Sequence, residues 1–260
     1  MRLTETKYFL SLLLWISSIS LGFSADLADL YRYKCESNDA QACFKLGKLY
    51  DAMSQSNPEK QLAPTYYEKA CILGVGDGCN NLAVGLSDEH PQTLHLLQKA
   101  CTLQSARGCS NLAIRYAWGH GVTKDPRQAY RYYHQACTLK DPTGCYGLGF
   151  AYLKGLGIDQ NVSEAKRYFT MACTMGGGDG CSGMGYLYEM AIGVPRDYAR
   201  AMQYYRQSCT MKYSVGCTNA GDLYRDAKGV KKDLSAAKPY YLKGCRLGDE
   251  EACLRLKKLY

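Results

Sequence analysis

The residues with most capacity for chemistry in this chain are its fourteen cysteines. They form seven C-x7-C pairs: Cys35 with Cys43, Cys71 with Cys79, Cys101 with Cys109, Cys137 with Cys145, Cys173 with Cys181, Cys209 with Cys217 and Cys245 with Cys253. Thiols so placed could bind zinc or close disulfides. Zinc sites usually set cysteines about two to four residues apart, a spacing absent here. His90, His95, His120 and His134 neither track the cysteines nor form H-E-x-x-H. No metal and no cofactor is therefore expected. Disulfides leave two repeating connectivities. Pairing across longer spans, such as Cys43 with Cys71, strands Cys35 and Cys253, whereas pairing inside each C-x7-C uses every cysteine and is preferred.

A serine nucleophile is the second chemistry to weigh. Two S-x-x-K strings occur, Ser163-Glu164-Ala165-Lys166 and Ser235-Ala236-Ala237-Lys238. They lie 72 residues apart, twice the 36-residue step between most cysteine pairs, so they are one repeat position seen twice. The aligned positions hold Arg127 with Tyr130 and Ala199 with Met202, which reads as ordinary residues at an exposed helix start. Gly176-Gly177-Gly178 follows a predicted helix, not a strand, and so is expected to connect helices rather than cradle phosphate. Asn161-Val162-Ser163 matches a glycosylation sequon, a string too short and common to carry weight.

The elements that position these residues follow from the period. Successive cysteine pairs start 36 residues apart, except the step from Cys71 to Cys101, which is 30. Ala129, Ala165, Ala201 and Ala237 keep the register, as do Gly121, Gly157, Gly193 and Gly229, and Tyr116, Tyr152, Tyr188 and Tyr224. A period of this size marks a solenoid of stacked supersecondary units. In each unit a first helix begins near the second cysteine, with residues 0, +3, +4 and +7 on one face, as Cys145, Leu148, Gly149 and Tyr152. The small residue at +4 (Gly47, Ala83, Ala113, Gly149, Gly185, Gly221) lets a neighbouring helix approach. Gly155 and Gly157 close that helix, and Asp125 before Pro126 caps the next. The second helix carries Ala-x-x-aromatic-aromatic-x-x-small-Cys, so most tyrosines are core residues with a wet hydroxyl. This gives fourteen helices in seven cysteine-bearing hairpins: a half unit at 26–35, six full units and a half unit at 251–260. The unit from 79 to 101 lacks six residues around Leu86 to Pro91, which predicts a shortened loop.

The ends and the charge bound location and partners. Arg2 and Lys7, an apolar run from Phe9 to Leu21 and Gly22-Phe23-Ser24 read as an export signal cleaved after Ser24. The run is short for a span of about 20 residues, and no cysteine at its end marks a lipid anchor. The expected mature chain, 25–260, holds no further stretch fit to cross a membrane. Net charge falls from +8 to +7 on losing Arg2, Lys7 and Glu5. The charges are scattered and of mixed sign, which speaks against nucleic acid. An exported chain meets an oxidising compartment where disulfides persist, so a secreted or periplasmic location is expected.

The motifs A-x-x-L-G-x-x-Y, G-V-x-K-D and A-x-x-Y-Y-x-x-A-C together resemble Sel1-like repeats, relatives of the tetratricopeptide repeat. The C-x7-C in every unit is similar to the secreted cysteine-rich proteins of the Helicobacter type, over residues 26–260. The resemblance implies an all-α fold, an α/α solenoid wound as a right-handed superhelix with one disulfide per helical hairpin. It also implies penicillin binding with slow β-lactam hydrolysis, while Sel1-like relatives mostly act as adaptors. A serine β-lactamase pairs S-x-x-K with S-D-N and K-T-G, and neither of those two strings exists in the chain.

A binding groove is the better-founded site. First helices of such arrays line a concave side. The position two after the second cysteine lies off the core stripe and holds Asn81, Asn111 and Asn219. An amide donates and accepts together, which suits peptide backbone; its alternative role is a solvated surface or a helix start. Arg115 and Tyr186 are weaker candidates nearby. The expected ligand is a peptide or peptidoglycan-like fragment, and a β-lactam, which mimics an acyl-D-Ala-D-Ala end, would fit the same groove. The alternative is a non-catalytic scaffold facing cell-envelope or host proteins.

Overall fold

The structure, a computed structural model, describes residues 27–54, 57–87 and 90–259. The expected export signal lies outside the described residues. Among these residues the chain forms fourteen α-helices and one 3-10 turn, with no strand. Helix α1 (27–36) is followed by α2 (Ala40–Asp51), the 3-10 turn Pro58–Leu62, α3 (Ala63–Ile72) and α4 (Gly76–Val84). Then come α5 (Pro91–Thr102), α6 (Ala106–Trp118), α7 (Pro126–Thr138), α8 (Pro142–Lys154) and α9 (Val162–Thr174). The last five are α10 (Gly178–Met190), α11 (Tyr198–Thr210), α12 (Ser214–Arg225), α13 (Leu234–Arg246) and α14 (Glu250–Lys257). The chain divides into two units, Met1–Ser87 and Asp88–Tyr260. Helices α1–α4 belong to the first and α5–α14 to the second.

Local chemistry sets the helix ends. Asp125, Asn161, Asp197 and Asp233 cap α7, α9, α11 and α13, each side chain accepting from amides of the first turn. The amide of each capping residue donates back to the carbonyl of the repeated tyrosine, as Asp125 to Tyr116 at 2.9 Å and Asn161 to Tyr152 at 2.9 Å. This fixes the return angle of the second helix. Asn161, the sequon residue, is therefore a cap. At the other junction a single residue takes left-handed backbone three positions after the first cysteine of each pair, among them Gly74, Gly176 and Gly248. Gly176-Gly177-Gly178 thus connects α9 to α10, as read from the sequence.

Packing follows the small residue at +4. A Cβ on Gly149 would lie 2.5 Å from the Phe169 ring, and one on Gly185 or Gly221 2.6 Å from the rings of Tyr205 and Tyr241. The sequence reading expected a close helix at this position; it is an aromatic ring of the following second helix that fills the notch. Tyr205 and Tyr241 are fully buried, and their hydroxyls donate to Glu189 and Asp222, each at 2.7 Å. The repeated tyrosines stack in pairs, Tyr116 on Tyr132, Tyr152 on Tyr168, Tyr188 on Tyr204 and Tyr224 on Tyr240. The core of the second unit is built from Phe169, Met184, Leu187, Tyr205 and Leu223. That of the first is built from Leu46, Tyr50, Ala63 and Tyr67.

In the second unit successive first helices touch one another, α6 with α8, α8 with α10, α10 with α12 and α12 with α14, whereas second helices stand further apart. The first-helix layer is therefore the inner one. The short repeat departs from expectation in where it loses residues. Helix α4 has 9 residues against 13 in α6, so a full helical turn is missing; the loop 85–90 is one residue shorter than 119–125. A whole turn can be removed without rotating the flanking core stripe, because the stripe repeats about every 3.6 residues.

Candidate functional site

The cysteines close seven local disulfides, each between residues eight apart in sequence, with Cα–Cα separations of 4.5–4.7 Å. Among the described residues no cysteine is free. Two helices so near need small residues beside the bond. The residue before the second cysteine and the one before the first supply them: a Cβ on Gly144 would lie 2.5 Å from Ala136 Cβ, and one on Gly180 2.4 Å from Ala172 Cβ. At the last junction the pair is exchanged, with Gly244 facing Ala252. This Ala-Cys-x6-Gly-Cys pattern was legible in the sequence and went unread, because the cysteines alone explained the spacing.

The position two after the second cysteine lies where the first-helix layer meets the ring of the preceding second helix. Asn81, on α4, is half-buried; it hydrogen-bonds the Tyr67 hydroxyl and accepts from Asn80 at 3.2 Å. It lines a cavity of about 570 Å³ in the first unit with Asp51, Lys60 and Tyr67. Asn219, on α12, donates to Ser182 Oγ at 3.5 Å across to α10. Asn111 is half-buried on α6. Asn81 and Asn219 are partly satisfied inside their own unit, since the position faces protein on one side. Arg115, on α6, donates to the His120 carbonyl at 3.5 Å and so serves the loop after its own helix. The aligned Ala151, Leu187 and Leu223 are buried. Tyr186 is half-buried against the core of the second unit.

At Gly147 and Gly183 the same position has no side chain, and the rings of Tyr133 and Phe169 fill it, 2.4 and 2.9 Å from where a Cβ would stand. Beside Gly147 the inner layer opens into a cavity of about 310 Å³, lined by Trp118, Tyr133, Tyr146 and Phe150, with Lys124 and Asp179 as its charged residues. Trp118 is 65% exposed. Burial, reinforced by the like charge of Asp141, lifts the Asp179 carboxyl to about 6, although the Gly180 amide donates to it at 2.7 Å. Burial also raises Tyr133 to about 12 and pushes Tyr146 above its usual range. No sequence argument had singled out this cavity; the signal was the loss of asparagine at 147 and 183.

The S-x-x-K serines sit on the first turns of α9 and α13. Both are exposed, and Ser235 Oγ donates to the capping carboxylate of Asp233 at 2.6 Å. That is helix-start chemistry.

Two-helix units of constant period, stacked in two layers with a disulfide at each junction, define a disulfide-linked α/α solenoid. Residues 40–75, 106–141, 142–177, 178–213 and 214–249 each match the sequence profile of the Sel1 repeat. The chain belongs to the Sel1 repeat family. In that register a repeat runs from a first helix to the end of its second helix, so each disulfide joins successive repeats. The unmatched stretch between 75 and 106 is the repeat with the missing turn. Among solved structures, a protective antigen of uropathogenic Escherichia coli displaying the same fold is 24% identical, with a TM-score of 0.68 over 88% of this chain and 50% of that one. This chain thus spans half the length of that protein. A Sel1 repeat protein from Oxalobacter formigenes is 29% identical, with a TM-score of 0.61 over 71% of this chain and 75% of that one. Helicobacter pylori cysteine rich protein B is 36% identical over 49% of this chain and 98% of its own, with a TM-score of 0.41. No curated protein sequence matches the chain.

Proposed function

We propose that this protein is an exported, non-catalytic binding solenoid that holds an extended peptide, from a protein partner or the peptide of a cell-wall fragment, on its first-helix layer. The observation that supports this reading most is the aromatic cavity in the inner layer of the second unit, with Trp118 exposed at its wall. Concave, apolar walls with a few convergent polar groups suit a ligand. Asn111 and Asn219 flank the glycine-opened stretch along the sequence of first helices, and an amide with part of its capacity spent inside the protein keeps the rest for peptide backbone. Asn81 offers the same chemistry in the separate cavity of the first unit. The seven disulfides fit an oxidising compartment, and cleavage near Ser24 would deliver the chain there; a β-lactam would act as a mimic of the peptide end.

The test is selection of peptides from a displayed random library on the oxidised protein, followed by calorimetry on Asn111→Ala and Asn219→Ala. Each substitution is expected to weaken binding by about 1–2 kcal/mol with little change in stability. Failure to select any peptide, or unchanged affinity in both variants, would remove the peptide reading or the role of the amides respectively. Nitrocefin turnover by the same preparation that is lost in Ser163→Ala or Ser235→Ala, with the fold intact, would replace the reading with a hydrolase.

A further inference from the structure

Two residues that face the cavity in the second unit set its chemistry. Gly147 stands where α6 and α12 carry asparagine, which bares the Tyr133 ring to the cavity wall. Asp179, in the first turn of α10, stands where α6, α8 and α12 carry Arg107, Thr143 and Val215 and where α4 and α14 carry Asp77 and Glu251; of these acids it is the one that lines this cavity. An acid recurs at this repeat position, but at 179 its surroundings make it costly. Its carboxylate is partly shielded from water near Tyr146 and Tyr213, with Asp141 adding repulsion. Among the described residues no ion pair reaches it, and its hydrogen bonds come from backbone amides, that of Gly180 and its own. Desolvated carboxylates are ordinarily paired or removed. One retained beside aromatic faces in an open cavity is suited to a cation that arrives from outside.

We propose that this cavity takes a lysine or arginine side chain of the bound peptide, its aliphatic stem lying along Tyr133, Tyr146 and Phe150 and its charged head meeting the Asp179 carboxylate. The proposal rests on the peptide-binding reading and names the side chain that reading leaves open. Basic side chains divide in this way between an apolar stem and a polar head. The negative faces of the rings favour the cation over a neutral chain of the same length, and a charge-assisted bond to carboxylate is the strongest available there. Lys124, in the same cavity, would repel a second basic group and fixes one such residue per peptide rather than a basic run.

The experiment uses peptides selected on the full oxidised chain. A lysine or arginine is expected at one fixed position of the selected set. Replacing it by norleucine should weaken binding about tenfold or more to the wild type and clearly less to Asp179→Asn, where only the attraction to the rings is lost. The affinity of the wild type should fall as pH drops through about 6, where Asp179 becomes protonated, and that of Asp179→Asn should not. Asp141, Tyr146 and Tyr213 act on it, Lys124, Tyr130 and Tyr133 line the same cavity, and burial holds Tyr133, Tyr146 and Tyr213 above this window. Quenching or a blue shift of Trp118 emission on binding locates the peptide at this cavity. Selected peptides without a basic residue, or equal loss on norleucine substitution in wild type and Asp179→Asn, would overturn this assignment while leaving peptide binding standing. A library that yields no binder overturns both.

Discussion

Single residues decide how closely the helices of this protein meet, and glycine is the clearest case. In an exposed helix interior, glycine to alanine would gain up to about 1 kcal/mol of helix propensity. At Gly185 the added Cβ would lie 2.6 Å from the ring of Tyr205, which is fully buried and anchored through its hydroxyl to Glu189. The ring cannot swing away, so overpacking outweighs propensity and Gly185→Ala should lose about 1–2 kcal/mol; urea denaturation measures it. Asp179 gives the opposite sign. Its folded-state carboxyl titrates near 6 against an ordinary 3.8, so the folded chain holds the proton more tightly than the unfolded one. Stability is therefore favoured on the acid side and subtracted from as pH rises through this window. Asp179→Asn should raise stability by about 1–2 kcal/mol at pH 7, a figure discounted for partial exposure, with the gain fading as pH falls to the ordinary carboxylate range. Denaturation midpoints at neutral and acid pH check it. At this scale the sequence was only partly legible. The notch at +4 was readable as a small residue, but its occupant was not, because a ring reaching in from the next helix leaves no periodic signal on the notch's own helix. The environment of Asp179 comes from Tyr146 and Tyr213, 33 and 34 residues away in the chain, and could not be read from its neighbours in sequence.

Helices here are specified at their ends as much as along their faces. The aspartate or asparagine cap, the left-handed residue between helices and the small pair at the disulfide recur in step; the cap stood plainly in the sequence as Asp125-Pro126, whereas the left-handed residue after the first cysteine is Asn38, Gln104, Lys140 or Lys212 as often as glycine and left no such signal. The repeat missing a helical turn was misread as a loop deletion, since counting residues between cysteines cannot say which element gave them up. Each disulfide closes a nine-residue loop, and the chain-entropy relation assigns it about 2–3 kcal/mol. The paired change Cys173→Ala with Cys181→Ala should cost an amount of this order and keep the fold, because Gly180 and Ala172 still interlock beside the vacated bond. Circular dichroism with urea titration separates the two outcomes; loss of helix signal would mean that the staple, not the interlock, sets the junction.

Across the second unit, contacts run between neighbouring helices and between successive first helices, so stability is a sum of local terms with nearest-neighbour coupling. Removing the Cys101–Cys109 and Cys209–Cys217 bonds together should cost the sum of the separate costs within about 0.5 kcal/mol, as distant sites do. Removing Cys173–Cys181 with Cys209–Cys217, which staple α9 to α10 and α11 to α12 while α10 packs directly on α11, should deviate from additivity. A double-mutant cycle by urea denaturation distinguishes the cases, and coupling between the distant pair would contradict a one-dimensional array.

The uniform eight-residue separation of the cysteines also bears on how the oxidised protein comes into being. Every cysteine is joined to a partner adjacent to it in the order of cysteines along the chain. A polypeptide appearing from its N-terminus therefore presents each sulfur's correct mate next, before any competitor has emerged. A segment of this length closes on itself in about 10–100 ns, far faster than residues are added at about 5–20 per second. Correct connectivity is thereby written into the order of arrival. Such a molecule can be oxidised vectorially, one bond at a time, with little need for an isomerase to undo earlier choices.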